Sequence, residues 1–168
     1  MQLYIAGGSD ERLTVVRPLI TEAKDCGLIV TYDWTRSPGY DRPLTPAEVK
    51  EQALLDLQGV ANADLVWYVA PEAKSEGSAV ELGAALIRGK PVIASGPHAL
   101  RESRIFALLA HRIFATHDAA FRAIRIFASH PTAYLDLFSG PRRQDHTSAS
   151  YGNGWECPAE WAELLKKT

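Results

Sequence analysis

The apolar positions of this chain change their period along its length. Leu3-Tyr4-Ile5-Ala6 is an unbroken apolar run ended by Gly7-Gly8, which predicts a buried strand and a tight turn. Leu13, Val16, Ile20 and Ala23 then recur at helical spacing until Gly27. Ser9 is placed to cap that helix, and Pro18 inside it predicts a kink or a shifted start. Leu28–Tyr32 is a second, β-branched run. Thr45-Pro46-Ala47-Glu48 is a capping box with proline at the first helical position, and Val49, Ala53, Leu57 and Val60 mark the expected buried face of the helix it opens. Leu65–Ala70 is apolar enough to be a strand buried on both faces. Ser78–Arg88 reads as a helix closed by Gly89, Pro91–Ala94 as a strand and 99–110 as a helix. Arg112–Ala115 reads as a fifth strand and Asp118–Ser129 as a last helix.

Short strands separated by helices of ten residues or more imply βαβ units, right-handed crossovers and helices on both faces of a parallel sheet. The expected fold is therefore α/β: a doubly wound, parallel, five-stranded sheet of the flavodoxin or Rossmann kind. Such sheets bind ligands at the carboxyl ends of their strands. This directs attention to the loops 7–10, 33–45, 70–78 and 95–103. The pattern predicts one domain over 1–138. Beyond it, 139–154 is rich in Ser, Gly, Arg and Asn, so 139–168 reads as an extension or arm, with Glu156–Lys167 as a short helix anchored by Trp155 and Trp161.

Composition narrows the class. With 168 residues, 46% hydrophobic and 23% charged, the chain is expected to be a soluble globular domain. Two cysteines do not make a disulfide scaffold. No apolar run approaches the roughly 20 residues of a membrane span, and no basic leader precedes the first strand, so a cytoplasmic protein is expected. A net charge of −2 speaks against binding a nucleic-acid polymer. That total hides a division: residues 1–87 carry −6 and residues 88–130 carry +5. The division suits attraction between parts of the fold or between subunits, or a site drawing its acids and its anion-binding groups from different parts of the chain.

Candidate chemistry concentrates on carboxylates. Glu81 lies one turn into the helix after the third strand, at the ligand edge. The same spacing, Ser78-Ala79-Val80-Glu81, would also serve as a capping box. Asp56 sits among leucines, either solvated or buried with partners. Gly7 and Gly8 permit close approach of a ligand to backbone but make no dinucleotide fingerprint or phosphate loop. Trp34 is placed to stack on a planar base or to cover the sheet edge, and Asp33 to accept from ring N–H groups. The five histidines lack metal-ligand spacing, so neither a metal nor a cofactor is expected.

Three stretches together resemble the nucleoside 2-deoxyribosyltransferase family, including its deoxynucleoside 5′-monophosphate N-glycosidase branch. They are Leu3-Tyr4-Ile5-Ala6-Gly7-Gly8, the Asp56–Asp64 segment, and Gly77-Ser78-Ala79-Val80-Glu81-Leu82-Gly83-Ala84-Ala85 running on to Gly89-Lys90-Pro91. The resemblance covers about residues 1–128. It implies that Glu81 is a nucleophile attacking the anomeric carbon of a nucleoside, that Tyr4 orients it, and that Asp56 holds substrate or nucleophile. It implies substrate contacts from Gly7, Gly8, Ser75, Glu76, Gly77 and Ser78, and a homodimer or higher oligomer with a shared site, to which Ser103 contributes.

Two departures stand out. The transferases often carry an aspartate where this chain has Ser75; the monophosphate glycosidases tend to have serine there, in contact with the phosphate. Those glycosidases also place an arginine after the first glycine turn, where this chain has Asp10 and Glu11, with Arg12 displaced. Arg12, Arg101, Ser103 and Arg104 remain as candidate phosphate contacts, and Asp33 and Glu76 as candidate acids for the leaving base. The expected activity is thus cleavage or exchange of the N-glycosidic bond of a (deoxy)nucleoside or its monophosphate. The alternatives are a non-catalytic nucleotide-binding module and a hydrolase of another N-riboside, such as a nicotinamide nucleotide.

Overall fold

The structure, a computed structural model, describes residues 1–99 and 110–130. The helix expected over 99–110 and the extension over 139–168 lie outside the described residues, as do Arg101, Ser103 and Arg104. The chain divides into two compact units, Met1–Ala120 and Phe121–Thr168, and among the described residues every strand belongs to the first.

Five strands, β1 (Gln2–Ala6), β2 (Ile29–Val30), β3 (Leu65–Val69), β4 (Val92–Ser95) and β5 (Arg112–Phe114), form one all-parallel sheet in the order β2-β1-β3-β4-β5. This is the doubly wound order, with its switch point between β1 and β3. Leu3, Ile5, Leu65, Val66, Trp67, Val69 and Ile93 are wholly buried, because strands covered on both faces have no solvent side for polar residues. The second strand is shorter than the Leu28–Tyr32 run. It lies at the sheet edge, where Ile29 is exposed.

The helices are α1 (Arg17–Asp25), α2 (Pro46–Asn62), α3 (Glu76–Ile87) and α4 (His117–Ser129). Pro18 shifts the start of the first. A π-helical turn over Arg12–Val16 comes before α1, and Pro18 sits in its first turn. Ser9 does not cap it by side chain. Its carbonyl accepts from Arg12 N at 3.2 Å instead, and the turn has no side-chain cap. The capping box of α2 forms as expected, Thr45 Oγ1 accepting from Glu48 N and Glu48 accepting from Thr45 N.

The expected inner face of α2 is corrected. Val49 and Leu57 are exposed at 54% and 37%, Ala53 is exposed too, and only Val60 of the four is buried. The helix turns Gln52, Leu55, Asp56 and Gly59 inward instead. Two of those are polar, and each accepts from a tyrosine hydroxyl, Asp56 from Tyr4 of β1 and Gln52 from Tyr32 of the loop after β2, so the inward side of α2 is partly hydrogen-bonded rather than wholly apolar.

Candidate active site

Tyr4 stands in the middle of β1 with no exposed surface, its side chain turned towards α2 and α3. Room for its ring comes from Gly59. A Cβ on Gly59 would lie 2.7 and 2.8 Å from Tyr4 ring carbons and 2.9 Å from Tyr32 Cβ. Gly59 therefore lets α2 close onto the sheet and carries Asp56 in with it. The Tyr4 hydroxyl lies 2.8 Å from Glu81 Oε1 and 3.1 Å from Asp56 Oδ1. These three side chains come from β1, α2 and α3 and meet at one point.

A phenol has one hydrogen to donate. It can donate to only one of the two carboxyls, and the other contact needs a second proton, held on that other carboxyl and donated to the phenol oxygen. The electrostatics agree. Glu81 is 6% exposed and pushed up to about 8, first by burial and then by the charge of Asp56, with the Tyr4 bond opposing. Burial also raises Asp56, again against the Tyr4 bond. Tyr4 itself is held neutral by burial and by the two carboxylates. The pair thus shares a proton near neutral pH. Glu81 Oε2 is buried and meets no hydrogen-bond partner, so this carboxyl has an oxygen free for chemistry.

The capping-box alternative for Glu81 is overturned. The N-cap of α3 is Ser75, whose Oγ accepts from Ser78 N at 3.4 Å, and Glu81 lies in the second turn with its carboxyl on Tyr4. Ser78 is buried and its hydroxyl donates to Ser75 O. Glu76 and Gly77 are exposed in the first turn, and a Cβ on Gly77 would meet nothing within 4 Å. Gly7 and Gly8 are required by packing: a Cβ on either would lie 2.6 Å from Val16 Cγ2 or Pro71 Cβ.

The 33–45 loop contributes differently from expectation. Trp34 is 7% exposed and its Nε1 donates to Ile5 O at 2.8 Å, so the indole covers the sheet edge rather than presenting a face to a ligand. The Asp33 carboxylate accepts from Lys24 at 2.8 Å, Thr35 at 2.6 Å and Arg36 at 3.2 Å. Burial works against that charge, but these partners outweigh it and lower its pKa, so Asp33 is unsuited to act as an acid. Arg12 is likewise committed, with Nη1 on Thr35 O at 2.7 Å and its guanidinium 3.9 Å above the Tyr40 ring. The aromatic ring available at the site is Tyr40. It is 38% exposed; burial raises its pKa, Arg12 opposes, and Asp56 and Glu81 add to the rise, which places it in their field. Tyr32 donates to Gln52 Oε1 at 2.8 Å beside it.

The fold is one that solved proteins share. The CMP N-glycosidase BcmB of Clostridium botulinum superposes with a TM-score of 0.51 at 14% identity, covering 76% of this chain and 99% of that one. The solution structure of BlsM superposes with a TM-score of 0.54 at 23% identity, covering 83% and 94%. No protein-family model and no curated protein matches the chain.

Sequence reasoning brought Tyr4, Asp56 and Glu81 forward, and the structure joins them. It missed Gly59, Gln52 and Tyr40. A signal existed for the first, since a glycine inside a helical pattern usually has a packing reason. Among the described residues, no group of three or more His, Cys, Asp or Glu is arranged to hold a metal ion. No described helix is long and apolar enough to cross a membrane.

Proposed function

We propose that the chain is an N-glycosidase-type enzyme that cleaves or exchanges the N-glycosidic bond of a (deoxy)nucleoside or its monophosphate through a covalent glycosyl-Glu81 intermediate. The observation that carries this reading is the Tyr4–Asp56–Glu81 cluster, with its enclosed, unpartnered Glu81 Oε2 at the switch point of the sheet. The fold shared with a CMP N-glycosidase supports it.

In the first step the ionised Glu81 oxygen forms a bond to the anomeric carbon as the C–N bond breaks. The bonding pair leaves with the base, which takes a proton from solvent. Positive charge developing on the sugar is met by the Glu81 carboxylate, with Asp56 beside it, in a poorly solvated site, where such stabilisation is strongest. In the second step water or a ring N–H of an acceptor base attacks the same carbon and releases its proton to solvent as Glu81 departs as carboxylate. Tyr4 fixes the Glu81 rotamer throughout, and Tyr40 offers a base the face of its ring away from Arg12. The enzyme works as a homodimer or higher oligomer whose site is completed across subunits.

The test is base release, followed chromatographically, from a panel of nucleosides, deoxynucleosides, their monophosphates and NAD, with and without acceptor bases. Glu81→Gln is expected to lose turnover while melting cooperatively. Base release by that variant at the parent rate overturns the mechanism. Tight binding without release would favour a binding module.

A further inference from the structure

The chain bends at Thr31, directly after the two-residue β2, although the Leu28–Tyr32 run is β-branched enough to continue as strand. In an extended strand, neighbouring side chains point to opposite faces. The bend lets Thr31 and Tyr32 both reach α2. Thr31 N still pairs with Leu3 O at 2.9 Å, while Thr31 Oγ1 donates to Gly59 O at 2.9 Å. The Tyr32 hydroxyl donates to Gln52 Oε1 at 2.8 Å. Gly59 O has a use for its donor. Ala63 N, its partner in a continued helix, bonds Val60 O at 3.3 Å instead, where α2 ends.

Gln52, Asp56 and Gly59 recur at helical spacing and form one stripe along α2. The stripe is tied at three levels: Gln52 to Tyr32, Asp56 to Tyr4 at 3.1 Å, and Gly59 to Thr31. The middle tie is the longest, and it depends on protonation. Once both carboxyls are ionised, the phenol hydrogen serves one contact only, and the shorter is to Glu81 at 2.8 Å. The Asp56 contact then brings two oxygens together without a proton, and the charge on Glu81 repels it. Ionised Glu81 is the form that attacks carbon, so the outer ties keep Asp56 in place when the middle one fails. Tyr32 suits that task. Burial raises its pKa, and Asp56, Asp33, Glu51 and Tyr40 add to the rise, so its hydroxyl keeps its hydrogen while Glu81 ionises.

We propose that Tyr32 is a positioning residue. Through Gln52 it holds α2 against the sheet while Glu81 and Asp56 both carry charge, so Asp56 stays beside the nucleophile in the reacting form of the enzyme. The inference rests on the N-glycosidase reading above and adds to it a residue that acts through α2 rather than on Glu81 itself. Among the described residues, the titratable groups facing Glu81 are Tyr4 from β1, Asp56 from α2 and Tyr40 from the loop after β2. A change at Tyr32 removes none of them.

Tyr32→Phe keeps the ring beside Gly59 and removes the hydroxyl, and Gln52→Leu removes the acceptor. Without the tie, repulsion lets Asp56 withdraw as Glu81 ionises, so ionisation becomes easier. The carboxyl carbon NMR resonance of Glu81, identified by its loss in Glu81→Gln, is titrated in the wild type and each variant. Its midpoint is expected to fall by about half a pH unit in either variant, and the rising limb of kcat/KM to move down with it. The plateau kcat should drop by about fivefold, because Asp56 is no longer held in register. The double variant should match the single ones, since each removes the same bond. A midpoint that stays in place overturns the proposal, however far the melting temperature falls, because a merely structural tie costs stability alone. Shifts that add in the double variant overturn it too, since Tyr32 and Gln52 would then act separately. Should Gln52→Leu fail to fold, the titration of Tyr32→Phe decides by itself. Base release by none of these proteins overturns the N-glycosidase reading, and the titration still decides the role of Tyr32.

Discussion

Two carboxyls and one phenol hydrogen set the behaviour of Glu81. Its folded pKa of about 8 lies above the ordinary value of 4.5, because burial and the charge of Asp56 both disfavour ionisation. The unfolded chain ionises this group from pH 4.5 upward while the folded chain resists. Stability held below pH 4.5 is therefore lost as pH rises to about 8. Glu81→Gln removes the penalty, so its melting temperature at pH 8 should exceed the parent's, by about 2–4 °C for each kcal/mol relieved. A lower melting temperature at pH 8 would mean that the Tyr4 bond outweighs burial. For catalysis the same residue must be ionised, so kcat/KM is expected to rise with pH and level off above about 8. Asp56→Asn removes the like charge next to it, and the rising limb should move down by about one pH unit. A limb that stays in place would assign the titration to another group.

At the scale of elements, α2 decides whether the site exists. Gly59 brings the helix against Tyr4, and Asp56 rides on the turn before it. Gly59→Ala must displace either the Tyr4 ring or the helix, at a cost of about 1–3 kcal/mol. Because Tyr4 holds Glu81, the variant is expected to lose kcat well beyond its loss of stability, read by chemical denaturation beside single-turnover base release. A fall in stability with kcat intact would show that the site tolerates movement of α2.

The same element marks the boundary of what the sequence made legible. The strands, the α2 capping box and the helix after β3 follow from period and punctuation alone, because local rules govern them. The rotation of α2 does not, since Val49, Ala53 and Leu57 form a good apolar face until Tyr4 and Tyr32 offer hydroxyls to Asp56 and Gln52. Trp34 and Asp33 were legible as residues of the ligand-edge loop, but their partners, Ile5 O and Lys24, are long-range or inter-element and leave no trace in local spacing. Glu81 is ambiguous by spacing, because Ser78 could have been the N-cap of a box with it; Ser75, three residues upstream, is the N-cap instead and leaves Glu81 to Tyr4.

At the scale of the whole molecule, the rotation of α2 has a second consequence. The apolar residues it turns away from the sheet remain at the surface: Val49 at 54%, Leu54 at 57% and Leu57 at 37% exposed. The adjoining α3 exposes Val80 at 59% and Ile87 at 89%. Single exposed apolar residues are ordinary, but several on two adjacent helices suit burial in an interface. These helices carry Asp56 and Glu81 on their inner side, so an interface on the outer side would bear on the chemistry through the helices themselves. Leu54→Glu places a charge in that patch and leaves the Tyr4–Asp56–Glu81 contacts untouched. Sedimentation velocity should give a dimer or larger species for the parent and a monomer for Leu54→Glu. Specific activity should fall on dilution of the parent and be low at all concentrations in the variant. A parent that sediments as a monomer removes the oligomer. A monomeric variant with full activity keeps the interface and removes only the sharing of the site.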